Sequence, residues 1–209
     1  MSQIEQDFRI FSVKHPEIEK AYSEGLINRR ALARYLIKQG IAKNNQMDAV
    51  IAMLRRYSFV KKDTDTKDAF KNIRINIKDN ILILDFVKEK ELLQKLQKLI
   101  ANTNYDQGDT LKIVVGSSSL KLFIDEKNEK LVSSLLHEFK LQSKLKNISE
   151  MSLFFDVGAQ KTRGVMASIS TLLHMHNINI IEILTSSPEL IIYLKDKDVI
   201  KAYELLKGF

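Results

Sequence analysis

The sequence predicts an α+β chain: a small three-helix domain over residues 1–66, followed by two modules with the ferredoxin-like order strand, helix, strand, strand, helix, strand. Three observations predict it. Apolar residues recur at three and four positions through residues 16–57, as on one face of a helix. From Asn72 the pattern switches to strand alternation interrupted by helical stretches, and this order occurs twice. Charge divides at the same place: residues 1–62 hold 12 Lys and Arg against 6 Asp and Glu, whereas residues 63–209 hold 21 against 20.

In the first segment, one helix starts at Pro16, a residue suited to a first turn, and carries Ile18 and Tyr22 before Gly25 stops it. A second has Asn28 as N-cap, with Ala31, Leu32, Tyr35 and Leu36 inward and Gly40 as its end. The third begins near Asn45 and buries Val50, Ile51, Leu54 and Tyr57. Between Arg29 and Lys62 the basic residues Arg29, Arg30, Arg34, Lys38, Lys43, Arg55, Arg56, Lys61 and Lys62 meet one acid, Asp48, a local field that attracts polyanions.

The run from Arg30 to Leu36, a break, and the run from Ala49 to Tyr57 together resemble a winged helix-turn-helix. The connection from Gln39 to Asn44 is longer than the usual turn of about 3–4 residues. The resemblance implies a DNA-reading third helix, with Asn44, Asn45 and Gln46 near base edges and Arg29, Arg30, Arg55, Arg56, Lys61 and Lys62 at phosphates. The same residues also suit a helical cap that docks on the rest of the chain, or on a partner, with its basic face solvated.

The first module spans residues 78–149. Ile73, Ile75 and Ile77 alternate in a preceding strand over residues 72–77. Lys78-Asp79-Asn80 reads as a turn, and Ile81–Val87 as the next strand. Lys88–Asn102 is a helix, Thr110–Val115 and Ser119–Asp125 a hairpin, Lys127–Lys140 a second helix and Leu141–Ile148 extended. The second module, residues 150–209, repeats the order but ends after its second helix, one strand short. The strand 72–77 can fill that gap, which nests the first module inside the second and avoids an open edge.

The last third carries Arg163-Gly164-Val165, Asn177-Ile178-Asn179-Ile180, the stretch Glu182–Ser187 and Ala202-Tyr203-Glu204-Leu205-Leu206. These resemble an ACT domain, as in the regulatory half of aspartate kinases. The resemblance implies a sensor of a small molecule, usually an amino acid, and a homodimer formed edge to edge through the sheets. It places the ligand at the junction of first strand and first helix, here Asp156, Gly158, Ala159, Gln160, Lys161, Thr162, Arg163 and Gly164, with Asn177 and Asn179 as further contacts. Arg163 stands where the family usually has a Pro. The equivalent junction of the first module, Phe86–Glu91, has no glycine, so the second module reads as the sensor.

Without cysteine the chain has neither disulfides nor thiolate chemistry. It contains no run of about 18 apolar residues, and its opening residues carry acids, which reads as a cytoplasmic protein that enters no membrane. His174 and His176 point about 200° apart on a helix, which no single metal ion bridges. No catalytic set, cofactor site or metal site is legible. The sequence therefore reads as an amino-acid-sensing, DNA-binding regulator and not an enzyme. The alternatives are a non-catalytic subunit that regulates a biosynthetic enzyme, and a scaffold whose sensor has lost its ligand.

Overall fold

The computed structural model describes residues 2–57, 70, 72–156 and 162–208, and the chain divides into two compact units, Met1–Asp63 and Thr64–Phe209.

Unit 1 holds four α-helices among its described residues, one more than the sequence reading gives. The additional helix, α1 (Gln3–Lys14), is N-capped by Ser2, whose hydroxyl accepts the Glu5 N–H. Ile4, Phe8 and Phe11 line one face of α1 at helical spacing, and Phe8 and Phe11 are buried. His15 ends α1 and precedes α2 (Pro16–Ser23), with Pro16 in the first turn. The Asn28 side chain accepts the Ala31 N–H at 2.8 Å to cap α3 (Arg29–Lys38). The long connection after Gly40 tightens into a 3₁₀ turn, Asn44–Gln46, and then α4 runs from Met47 to Arg56. Leu32, Ala33, Leu36, Val50, Met53 and Leu54 close the core with the two phenylalanines. A wing would follow α4 within residues 58–69, which lie outside the described residues.

Among its described residues, unit 2 is a six-stranded antiparallel sheet with four α-helices. Its elements are β1 (Arg74–Val87), α5 (Lys90–Ala101), β2 (Leu111–Val115), β3 (Ser119–Asp125), α6 (Glu129–Leu136), β4 (Leu141–Phe154), α7 (Val165–Met175), β5 (Glu182–Ser186), β6 (Glu189–Lys195) and α8 (Asp196–Lys207). The order across the sheet is β2-β3-β1-β4-β6-β5.

Three expectations need correction. Lys78-Asp79-Asn80 is not a turn between strands: β1 runs unbroken through it for 14 residues, and Asn80, at φ 54°, forms a bulge instead. Turn-type residues suit such a bulge because asparagine tolerates the left-handed region. Likewise the extended Leu141–Ile148 and the strand from Met151 are one 14-residue strand, β4, with Asn147 at φ 58°. The second helix of the first module is also shorter than read, starting with a 3₁₀ turn at Glu126–Asn128 and ending at Leu136.

β1 and β4 pair with each other along most of their length, Arg74 opposite Phe154 and Phe86 opposite Leu141. The surplus strand is the N-terminal part of β1, and residues 74–78 pair with 150–154. β3 pairs with residues 81–87 of β1, and β6 with residues 148–154 of β4. Each half of the sheet thus has four strands in the ferredoxin-like order, two of them segments of the shared ribbon.

Directly paired residues share a face, so the register sorts the side chains. Leu82, Leu84, Phe86, Leu120, Leu122 and Ile124 pack under α5 and α6. Met151, Leu153, Leu190, Ile192 and Leu194 pack under α7 and α8. Ile81, Ile83, Phe123, Ile148, Ile191 and Tyr193 all lie on the opposite face, which carries no helix among the described residues, and are buried together. The sheet curls so that its two halves meet there, and the rings of Phe123 and Tyr193 stand 4.5 Å apart.

Phe8 is 1% exposed and Ile10, on the same helix, 60%. Phe8→Ala is expected to cost about 3–5 kcal/mol of stability through the cavity it leaves, and Ile10→Ala less than about 0.5 kcal/mol. Urea unfolding followed by circular dichroism measures both.

Candidate functional site

The sequence-predicted ligand loop leaves β4 at Phe154 and enters α7 at Val165. Asp156 is exposed, and its carboxylate accepts a hydrogen bond from the Asn72 side chain at 2.9 Å. Gly158, Ala159, Gln160 and Lys161 lie outside the described residues. Thr162 is half-buried and Arg163 exposed. Gly164 takes φ 88° and stands at the N-cap of α7. A glycine has no side chain to cap with, so the first amides of α7 have no side-chain acceptor from that residue, and such amides suit a carboxylate.

Asn177 and Asn179 lie beyond α7 from Gly164. They follow the other end of α7, whose 11 residues span about 16 Å. Asn177, at φ 58°, terminates the helix: its N–H meets His174 O at 3.0 Å and the Ile178 N–H meets Leu173 O at 2.9 Å. Asn179 is exposed just before β5. In the first half, the corresponding junction is only Lys88-Glu89, and Lys88 bonds through Nζ to Gly116 O at 2.9 Å and through its N–H to Ser118 O at 3.1 Å. That junction is tied to the β2–β3 turn and leaves no loop for a ligand.

The residues predicted to meet DNA separate into two groups. Tyr22 donates its hydroxyl to Leu54 O at 3.2 Å and accepts from Arg29 Nε at 2.9 Å. This sets the start of α3 beside the end of α4, so Arg29 and Arg30 lie at the same end of the helix pair as Arg55 and Arg56, all exposed. Asn44, Asn45 and Gln46 sit at the opposite end of α4, a 10-residue helix about 15 Å long. The Gln46 side chain is engaged in folding, since its oxygen accepts the Lys43 N–H at 2.8 Å. Lys61 and Lys62 lie outside the described residues. The arginines at the start of α3 oppose the helix dipole, which favours acids there, so helix stability does not account for them.

The sequence reading missed a polar cluster on the helix-free face of unit 2. Lys112 Nζ lies 2.7 Å from both carboxylate oxygens of Glu150, and Tyr193 donates its hydroxyl to Glu150 Oε2 at 2.7 Å. Lys121 pairs with Glu182. Burial, then the neighbouring Glu150 charge, pushes the Tyr193 phenol well above its ordinary value, so it remains a donor. Alternation shows that these residues face one side, but only the curl of the sheet sets β2 against β4 and β3 against β5. Among the described residues, no group of three or more His, Cys, Asp or Glu is arranged to hold a metal ion, and no helix is long and apolar enough to cross a membrane.

No family model and no curated protein matches the sequence. Solved structures do match in fold. An aspartate kinase from Clostridium acetobutylicum, described as an allosteric enzyme, superposes with a TM-score of 0.54 at 21% identity over 64% of this chain, which spans 34% of that enzyme. The aspartokinase alpha and beta subunits give 0.54 at 18% identity, over 70% of this chain and 97% of theirs. The regulatory subunit of aspartate kinase from Thermus flavus gives 0.53 at 14% identity, over 67% and 97%. The chain is thus similar in fold to the regulatory regions of aspartate kinases and has the mixed helix-and-sheet arrangement of ACT-like modules.

If Asn177 serves the helix end, Asn177→Ala is expected to lower stability by about 1 kcal/mol, the strain of a left-handed alanine, while Asn179→Ala stays within about 0.5 kcal/mol. Urea midpoints of the two variants test this.

Proposed function

We propose that the chain is a non-catalytic, ligand-responsive regulator in which unit 2 senses an amino acid or similar metabolite and unit 1 delivers the output by binding DNA. The observation that carries the sensor half is the contrast between the two strand-to-helix junctions. One is a two-residue bridge held by Lys88, and the other takes ten residues of sequence, 155–164, bearing Asp156 and ending at Gly164, which gives α7 no side-chain cap. Asp156 suits an ammonium, and the α7 amides with Arg163 suit a carboxylate, the two charges of an amino acid. The fold shared with regulatory subunits of aspartate kinase supports the same reading.

DNA as the output rests on the exposed arginines of unit 1, two of them at a helix start where the dipole disfavours them. A homodimer through the sheet edges β2 and β5 would present two such clusters to one duplex. Because unit 2 shares its fold with regulatory subunits, the second reading is a subunit that regulates a biosynthetic enzyme, with unit 1 as its docking surface.

Fluorescence anisotropy of a duplex titrated with the full chain tests the DNA output. Affinity is expected to fall steeply with salt, and Arg55→Glu/Arg56→Glu is expected to weaken it by about tenfold or more. In parallel, thermal unfolding with individual amino acids is expected to show an upward shift for at least one, which Asp156→Ala removes. A thermal shift without duplex binding selects the enzyme-subunit reading, and neither effect removes the sensor.

A further inference from the structure

Unit 2 consists of two half-sheets whose ladders meet in one row, Asp125–Ile81–Ile148–Lys195, the neck between them. β3 bonds to residues 81–87 of β1 and β6 to residues 148–154 of β4, so backbone continuity between the halves runs through β1 and β4. Both strands carry a left-handed asparagine at that point. Asn80 and Asn147 adjoin the one cross-strand pair Ile81–Ile148, and the ladder shifts register on either side of it. Facing bulges interrupt the ladder and bend it, which makes the neck the place where the sheet turns most easily.

Beyond the neck, the halves meet through side chains of the helix-free face, and this contact differs in kind from the cores beneath the helices. Those cores are apolar. The face between the halves instead surrounds its apolar residues with Lys112–Glu150, Lys121–Glu182 and the Tyr193 hydroxyl. Separating an apolar core from itself only exposes it to water. Separated ion pairs recover their hydration, so parting them costs much less than their mutual attraction suggests. A contact mixed in this way resembles a transient interface more than a domain interior.

We infer that unit 2 opens and recloses as two half-sheets pivoting at the Asn80 and Asn147 neck, with the ion pairs across the helix-free face as its latch and the helix-covered cores intact. The motion follows from the geometry of unit 2 and does not depend on which ligand, if any, the loop before α7 holds.

The chain has no cysteine, so one introduced thiol reports without background. Ile191 and Leu190 are adjacent and buried, 2% and 5% exposed, but Ile191 faces the latch and Leu190 the helix-covered core. In the full-length folded protein, the thiol of Ile191→Cys is expected to react with a thiol reagent at least about tenfold faster than that of Leu190→Cys, as local opening precedes global unfolding. Adding Glu182→Gln is expected to speed the first and leave the second unchanged. Ile83→Cys and Leu84→Cys repeat the comparison in the other half, so a variant that loses its circular dichroism does not remove the test. Equal rates within the pairs, or a faster face thiol in only one half, overturn the inference, because opening exposes both halves at once. No amino acid is added, so failure here is separate from failure of the sensor reading.

Discussion

The hydrogen-bonded ribbon of β1 and β4 is the constraint on which unit 2 depends. Each half of the sheet needs four strands to cover its apolar residues, yet outside the ribbon it has only two of its own, β2 and β3 or β5 and β6. The ribbon supplies the other two to both halves by being long enough to serve each with a different segment. Residues 74–78 complete the half that contains β6, although more than seventy residues separate them from their partners at 150–154. Neither half is therefore a complete sheet without the other, and the ladder that unites them is set by pairings distant in sequence, the costly kind to close.

Sharing strands creates a second problem, which the polar cluster meets. With α5, α6, α7 and α8 all on one face, the other face would leave Ile81, Ile83, Phe123 and Tyr193 in water. The curl covers them by turning each half toward the other. Strands from opposite sides of the sheet then face one another at short range, where an unpaired charge is costly; ion pairs meet most of that cost, while Asp85 Oδ1 on the same face is buried without a hydrogen-bond partner. Glu150, 7% exposed, is satisfied by Lys112 and by Tyr193, which is fully buried. The raised phenol of Tyr193 belongs to the same balance: beside a carboxylate in a buried site it keeps its proton and donates.

Much of this was legible locally. Asn28 as a cap, Gly40 as a stop and the β2–β3 hairpin all follow from short-range signals. The errors came where a local signal has two outcomes. Lys-Asp-Asn reads as a turn, but the left-handed asparagine it supplies serves a bulge within a strand equally well. α1 carries Ile4, Phe8 and Phe11 at helical spacing, a helix signal legible in the sequence itself. The site was less legible than the fold. The family resemblance implies a ligand contact for Asn177, and its left-handed backbone, which ends α7, is a separate role that the resemblance does not show. The clustering of Arg29 with the end of α4 needed the Tyr22 bridge, which links residues 32 positions apart. The Lys112–Glu150 pair is beyond any reading of spacing, because only the curl of the sheet makes it.

These features converge on β1. Asn72, two residues before its start, binds Asp156 in the loop that precedes α7, and Arg74 at its start lies over the Phe154 ring, 4.8 Å from its centre. The same strand continues through the Asn80 bulge into the other half-sheet, where Ile83 lies beneath the curl. A molecule bound at the loop would thus act directly on a strand that both halves share, with no chain of intermediate contacts needed to carry the effect. Such a molecule shifts the opening of the halves only if it binds one arrangement more tightly than the other. The Asn72–Asp156 hydrogen bond provides a means for that difference, because a ligand ammonium that takes the Asp156 carboxylate competes with Asn72 for the same acceptor. The loop and the neck are joined by the first residues of β1, so a molecule that favoured one arrangement at the first would bias the geometry at the second.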